Sequence, residues 1–487
     1  MRQPFNPQLQ FGQVPIENIR IDIKSRDDIP QLLLGLQYIY IHKSTFAQVL
    51  DILRKNIFPN KDHKNGRPGM DLWKILVLGV LRLNLNWDYD RLLEMVNNHK
   101  TIRQMLGHGM KDKDHEYKLQ TLKDNVHLLT PELLTEINQL VVQEGHNLVK
   151  KNEEELKGRC DSFVVETNVH YPTDINLLFD AIRKVITLTA ILCSILGISG
   201  WRQSSNNLRK VKRLFTLARK LKKSTSKKSD LREKREEEIK AAHQAYIDGV
   251  TIYLEKVRQS IGNIKGGGVE ILGKVAEIQM YIDHAHRQID QINRRVINGE
   301  KIPNDEKVFS LFEEYTEWIS KGKAGVPVEL GLKVCILEDQ FGFILHHQVM
   351  QNQTDDQVAV LMVKESQDKF KSLTNCSFDK GFHSPTNQKN LREILDFVVL
   401  PKKGKLSVED KKHEYSEEFI NLRHKHSAVE SGINALEIHG LDRCPDRGLE
   451  SFNRYVALAV LGRNFQKFGA VILQNMRHEQ SKLRKAA

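Results

Sequence analysis

Asn375-Cys376-Ser377-Phe378-Asp379-Lys380-Gly381-Phe382-His383-Ser384 sets an acid at the end of an apolar run and two residues before a glycine. Ser372 to Phe378 upstream and Phe397 to Leu400 downstream bracket it, which is the sequence form of a carboxylate held at the C-terminal end of a strand. A turn former is the ordinary explanation of such an acid. A catalytic Asp379 needs acidic partners elsewhere in the chain.

Downstream, Ser384-Pro385 opens a helix, Phe397 to Leu400 reads as a strand, and a helix is expected from about Ser416 through Leu436. Gly440 to Gly448 is turn-rich, a last helix runs from Ser451 to about Leu473, and 476–487 is a fraying tail. Upstream, Val326, Val328, Leu330, Leu332, Val334 and Ile336 alternate with Pro327, Glu329, Gly331, Lys333 and Cys335, a strand with one buried face. Glu338 to Gly342 is turn-like, and Phe343 to Val349 returns as the hairpin partner. Thr354-Asp355-Asp356-Gln357 forms a capping box before the helix Val358 to Phe370.

Further back, the β-prone run Phe163-Val164-Val165 marks a first strand beginning at Asp161. Between it and Val326 the pattern is helical, so 181–322 is expected as a helical insertion, with a long hairpin over Leu231 to Val296 broken near Gly266-Gly267-Gly268. Val185 to Trp201 carries no charge, but it is shorter than the roughly 20 residues a bilayer requires and contains Thr187, Thr189, Ser194 and Ser199, so a buried helix is expected rather than a membrane span. Arg209 to Lys228 holds ten Lys or Arg in twenty residues, with Arg209, Lys210, Lys212 and Arg213 at its head. Such a run is either a solvated helix face or a clamp on a phosphate backbone.

Residues 1–155 read as helical. After the breaker Gly66-Arg67-Pro68-Gly69, apolar residues recur at helical spacing through Asp71 to Leu85; Tyr89 to Val96 and Leu119 to Leu129 follow, and Thr130-Pro131 caps the next helix. This region is either a DNA reader, with Tyr117 to Val126 as recognition helix, or a bundle that only packs.

Composition narrows the partners. The formal net charge is +12 and the pI about 9.2, which favours a polyanion such as nucleic acid. The five cysteines have no C-x-x-C spacing, so neither a zinc knuckle nor a disulfide framework is indicated, and the N-terminus opens no apolar signal region. A cytoplasmic protein without a membrane partner is expected.

With the insertion removed, the order is strand, strand, strand, helix, strand, helix, strand, helix. That is the element order of a ribonuclease H-like α/β fold, although another α+β arrangement remains open. In such a fold Asp161, Asp379 and an acid on a late helix become neighbours. Arg423, His426 and Glu430 fall at i, i+3 and i+7, beside the apolar stripe Val429, Ile433 and Leu436, so Glu430 is the natural third acid. Three converging carboxylates need hard cations, two Mg²⁺ or Mn²⁺ ions, and two such ions suit in-line phosphodiester displacement. Glu166 or Asp174 could replace the first acid and Glu437 or Glu450 the third. His346-His347 and His383 lack the paired soft ligands of a zinc site and are expected as strand-end residues facing phosphate or solvent; Trp73 and Trp318 are expected in the core.

Asp161-Ser162 with Val165 to Asp174, the block Asp379 to Ser384, and Arg423-x-x-His426-x-x-Val429-Glu430 followed by Gly440 to Gly448 resemble bacterial insertion-sequence transposases of the DDE type, the ISNCY group in particular. The resemblance runs through most of the chain, including Gly66 to Gly69 and Gln120 to Val126. It implies Asp161, Asp379 and Glu430 as the metal-binding triad, with Arg423, His426 and Lys380 beside the metals or on DNA. The insertion lies after the first strand rather than just before the last acid, which sets aside hairpin-forming chemistry borrowed from relatives. The expected function is cleavage at the element's terminal inverted repeats and strand transfer into target double-stranded DNA, by a homodimer at synapsis. The alternatives are a metal-dependent nuclease that does not join, or a basic DNA-binding protein whose acids are incidental.

Overall fold

The computed structural model of the chain describes residues 5, 9, 12–57, 69–109, 115–150, 154–262, 264, 268–303, 305–320 and 328–486. Gly66-Arg67-Pro68, Gly266-Gly267 and Val326-Pro327 lie outside the described residues. The chain forms two compact units, one of residues 1–168 with 319–487 and the other Val169–Trp318.

The first unit opens with α1 (Ile29–Ile41), α2 (Lys43–Ile57), α3 (Leu72–Asn84), α4 (Tyr89–Asn98), α5 (Lys100–Met105), α6 (Leu119–Val126) and α7 (Pro131–Val149). Thr130 Oγ1 accepts from the Leu133 amide at the start of α7, the expected cap. In α3 every residue except Lys74 is buried, so the stripe read from its sequence is a helix enclosed on all sides, and Trp73 is core. The proposed recognition helix, α6, buries Leu122, Asn125 and Val126 and leaves Gln120, Thr121 and Asp124 outward.

The expected boundary after residue 155 does not divide two bodies. α1, α3 and α7 pack on the last helix, α17 (Leu449–Ala486), which runs through the segment expected as a tail. α1 crosses α17 where a Cβ on Gly35 would stand 2.7 Å from the Phe465 carbonyl oxygen and one on Gly469 only 1.7 Å from that of Gln31. Leu449–Leu483 is long and apolar enough to cross a membrane, yet 72% of its apolar window is buried within the protein, as in a core helix. Arg82 of α3, 3% exposed, makes a bidentate pair with Asp446 at 2.7 and 3.0 Å and lies over the Tyr89 ring, so the turn-rich segment before α17 is locked to the N-terminal helices.

The sheet of the same unit is mixed. β1 (Leu156–Thr167) lies between β3 (Val328–Glu338), antiparallel to it, and β5 (Leu373–Phe378), parallel to it. β4 (Ile344–Met350) pairs antiparallel with β3, β6 (Phe397–Val399) pairs parallel with β5, and the short β2 (Glu317–Ser320) also lies beside β3. The expected α/β class, with a mixed open sheet and helices around it, is the one observed. The first strand begins five residues before Asp161 and places it mid-strand, because Leu156 and Cys160 carry the inward face that the Phe163-Val164-Val165 run only continues. At the start of β4 the Ile344 amide donates to Asn464 Oδ1 at 2.9 Å, while Asn138 and Asn464 donate to its carbonyl at 3.1 and 2.8 Å; amides from α7 and α17 thus satisfy the outer edge of a strand that pairs only on its other side.

α12 (Asp355–Lys369) follows β4 with the expected Thr354/Gln357 capping box, and α13 (Pro385–Ile394) is capped by Ser384. After β6 come α14 (Val408–Glu414), α15 (Glu417–His426), α16 (Ala428–Leu436) and the two-residue strand β7 (Arg443–Cys444). The single helix expected over Ser416 to Leu436 is therefore two, broken at Ser427, whose hydroxyl donates back to the His424 carbonyl.

The second unit has its own apolar core, built by α8 (Asp174–Ile195), α9 (Ser204–Lys220), α10 (Ser229–Gly262) and α11 (Val269–Ile292). The expected insertion at 181–322 is shifted, since α8 starts at Asp174 and the unit begins at Val169. The uncharged segment is buried on one face only; Ile191 and Ile195 are exposed.

Candidate functional site

Parallel pairing of β1 with β5 ends at Cys160 opposite Phe378, and pairing on that side of β1 resumes with β7 at Glu166. Between those points β5 turns away through Asp379 into the short helical turn Lys380–Phe382. The edge of β1 is left open from Asp161 onward, a crevice at the carboxyl ends of parallel strands, where α/β sheets place their ligands.

Asp161 stands at the head of this opening, facing the same side of the sheet as Ile336 opposite it. Its carboxyl is pushed up to about 6: burial contributes most, the Ser162 amide opposes at 2.7 Å, and the charges of Asp379, Asp355 and Glu430 raise it further. The expected triad, scattered in sequence, thus forms one electrostatic neighbourhood. Asp379 and Glu430 are exposed.

α15 and α16 cover the sheet beside the acids. Ser377 Oγ donates to the Gly158 carbonyl at 3.3 Å and lies 3.0 Å from His426 Nδ1. Since a serine has one proton, His426 donates through Nδ1–H and its Nε2 is the acceptor in the neutral ring. Burial lowers the His426 pKa, and the Asp379 and Glu430 charges oppose that. Arg159 Nη1 donates to Glu338 Oε1 at 3.3 Å, and buried Glu338 is pushed up to about 7. α16 reaches this close because residue 432 is glycine; a Cβ there would sit 2.2 Å from Glu338 Oε2.

A fourth acid, not singled out in the sequence, belongs to the neighbourhood. Asp355 at the start of α12 accepts from Ser162 Oγ at 2.7 Å and pairs with Lys333 Nζ at 3.1 Å. Arg159 was not singled out either, and Ser162, Lys333 and Ser377 were placed on their elements without a role at the site. The available signal was an acid in the first turn of a helix that directly follows a hairpin; the strand register needed to connect it with Asp161 is a tertiary fact.

Other expected residues are placed differently. Arg423 is exposed on α15, and the break at Ser427 takes Glu430 onto the next helix, so the i, i+3, i+7 face is not continuous. Lys380 is exposed beside Asp379. Arg209, Lys210, Lys212 and Arg213 are all exposed on α9 of the second unit, whose opposite face buries Val211, Phe215 and Ala218. Among the substitute acids, Glu166 is bound to Arg443 at 2.6 Å and Asp174, in the second unit, to Arg295 at 2.8 Å. His346 and His383 are buried rather than facing phosphate or solvent, with His346 against Glu365 and Lys369 of α12. Trp318 is half-buried against Tyr171 and Phe309.

Among the described residues no three His, Cys, Asp or Glu side chains already stand together as a metal cage. The chemistry of the donor set nevertheless suits a hard divalent cation. Asp161, Asp379 and Glu430 offer only carboxylate oxygens, and two of the cations around them are engaged elsewhere, Lys333 with Asp355 and Arg159 with Glu338. Burial raises Asp161 most, and the negative charge shared with Asp379, Asp355 and Glu430 adds to it. No family model matches the chain, and neither a curated protein nor a solved structure matches it.

Proposed function

We propose that the chain is a metal-dependent DNA-cleaving and strand-transferring enzyme, a transposase of the DDE type, with Asp161, Asp379 and Glu430 as metal-binding carboxylates. The observation that carries this is the register that sets Asp161 and Asp379 directly after the paired Cys160 and Phe378, with the helix of Glu430 packed on β1; the charges of Asp379 and Glu430 add to the burial that raises the Asp161 carboxyl. The strand order supports a ribonuclease H-like fold: counting β1, β3, β4, β5 and β6 as one to five, the sheet runs 3-2-1-4-5 with the second strand antiparallel to the first.

Two Mg²⁺ or Mn²⁺ ions, when bound, supply activation of water or a 3′-hydroxyl and stabilisation of the leaving oxygen. The protein's own part is positional. β1 carries Asp161, the turn after β5 carries Asp379, and α16, packed on β1, carries Glu430; the reading requires their carboxylates to share the ions. His426, held through Nδ1 by Ser377, keeps a neutral imidazole beside the acids for DNA or water to meet. The basic face of α9 supplies phosphate contacts without sequence choice.

The test is nicking of supercoiled plasmid with Mg²⁺ and joining of labelled DNA ends to target. Asp379→Asn and Glu430→Gln should each reduce cleavage by a factor of about a hundred or more while DNA binding is retained. Parental cleavage rates in both variants would falsify the triad. Nicks without joined products identify a nuclease, and binding without nicks a non-catalytic protein.

A further inference from the structure

The carboxylate of Asp355 meets the residue that follows Asp161. Its Oδ1 accepts from Ser162 Oγ at 2.7 Å and from Lys333 Nζ at 3.2 Å, and its Oδ2 is 3.1 Å from the same ammonium. Ser162 is bound twice, because its backbone amide donates to Asp161 Oδ1 at 2.7 Å. On its other side Asp355 abuts the turn that carries Asp379: a Cβ on Gly381 would stand 3.1 Å from Asp355 Oδ2. The same end of α12 is tied to that turn through Asn387, whose Nδ2 donates to the carbonyls of Asp356, at 2.5 Å, and Phe382, at 3.0 Å. One helix start therefore touches the residue after Asp161 and the turn after Asp379.

An acid in that position has two available roles, as a ligand or as a brace. Lys333 decides between them. Its ammonium contacts both carboxylate oxygens, so Asp355 is neutralised where it stands and its Oδ1 is occupied by the serine. We infer that Asp355 is a positioning residue of the proposed metal site: with Lys333 as counter-ion, it holds Ser162 so that the Ser162 amide orients the Asp161 carboxylate, and the Asn387 tie between the start of its helix and Phe382 sets the distance to the Asp379 turn. It acts on the site through Ser162 and the turn, as outer partners of metal ligands do. The inference rests on the triad reading above.

The experiment measures Mn²⁺ binding to the full-length chain by the electron paramagnetic resonance of the free ion, together with the melting temperature in chelator. Ser162→Ala and Asp355→Ala are each expected to weaken Mn²⁺ binding about tenfold, the lower end of what loss of an outer partner does. The double variant should be no weaker than the weaker single, because both remove the same link. Ser162→Thr, which keeps the hydroxyl on a strand, should restore parental affinity, a rescue that a purely structural role would not give. Gly381→Ala should also weaken binding, since its Cβ would stand 3.1 Å from Asp355 Oδ2 and press that carboxylate away from Ser162. Parental Mn²⁺ affinity in Ser162→Ala and Asp355→Ala, or additive losses in the double variant, overturns the brace while leaving the triad standing. A parent chain that binds no Mn²⁺, or binds it equally with Asp161→Asn, overturns the triad and the brace together.

Discussion

Asp161 carries the tension of the site in one side chain. Its carboxyl titrates at about 6 instead of the ordinary 3.8, so the folded chain retains a proton at pH values where the unfolded chain has lost it. Stability contributed by this group is therefore full below about pH 4 and falls as pH rises through about 6, after which the whole burden of a buried, crowded carboxylate remains. Asp161→Asn keeps the oxygen that accepts from the Ser162 amide and removes the charge. In chelator at neutral pH this variant should melt higher than the parent, with a gain on the order of 1 to 3 kcal/mol, reduced by solvent screening around the exposed Asp379 and Glu430. The gain should vanish below about pH 4. Melting curves across that range check the sign: a variant less stable than the parent at neutral pH contradicts the crowding of carboxylates on which the site depends. Glu338, also raised, adds its own slope to both proteins and cancels in the comparison.

Elements divide between those that local pattern determines and those that packing determines. β3 and β4 were legible because apolar residues recur at period two in β3 and return after a turn in β4, although β3 is buried on both faces from Val334 to Glu338 and not on one; α7, α12 and α13 were legible because their caps are written in Thr130-Pro131, the Thr354 to Gln357 box and Ser384-Pro385. The break at Ser427 left no mark, since Ser427 sits in a run with no Gly or Pro and yields only where α15 and α16 must both lie on the sheet. β7 is two residues long and exists through its partner β1. Asp161 and Glu430 could be read as partners of Asp379 because their elements were visible. Asp355 could not, because its link to Asp161 runs through a register between strands distant in sequence. The crossing of α1 and α17 is of the same packing-determined kind. Gly469 lies in the interior of a helix, where sequence alone counts it as weakening, yet any Cβ would meet the Gln31 carbonyl, a backbone atom that cannot swing aside. Gly469→Ala should destabilise the first unit by about 1 to 3 kcal/mol despite alanine's better helix propensity, as overpacking does. Denaturant midpoints measure it, and an unchanged or raised midpoint would show that the helices do not cross this closely.

At the scale of the whole molecule, charge and architecture separate two tasks. The candidate site lies in the unit formed by 1–168 and 319–487, while the densest basic run belongs to the unit Val169–Trp318. On α9 the burial of Val211, Phe215 and Ala218 fixes one face to its unit's core and turns Arg209, Lys210, Lys212 and Arg213 outward. A helix so disposed is anchored chiefly by its apolar stripe, so these four exposed cations can serve a partner. Each DNA phosphate they neutralise releases counterions, and the logarithm of the binding constant falls with the logarithm of salt by about 0.9 per contact. Replacing all four residues by Gln should therefore flatten that dependence by up to about 3 to 4 in slope and weaken binding to every duplex alike, with specificity for any one sequence unchanged. Because the four side chains are exposed, the melting temperature should hardly move. Titrations of labelled duplex at several salt concentrations decide the matter. A slope equal to the parent's makes α9 a solvated face and shifts the search for phosphate contacts to Lys380, Arg423 and the helices before β1; a flattened slope with cleavage retained at low salt separates DNA capture by one unit from chemistry in the other.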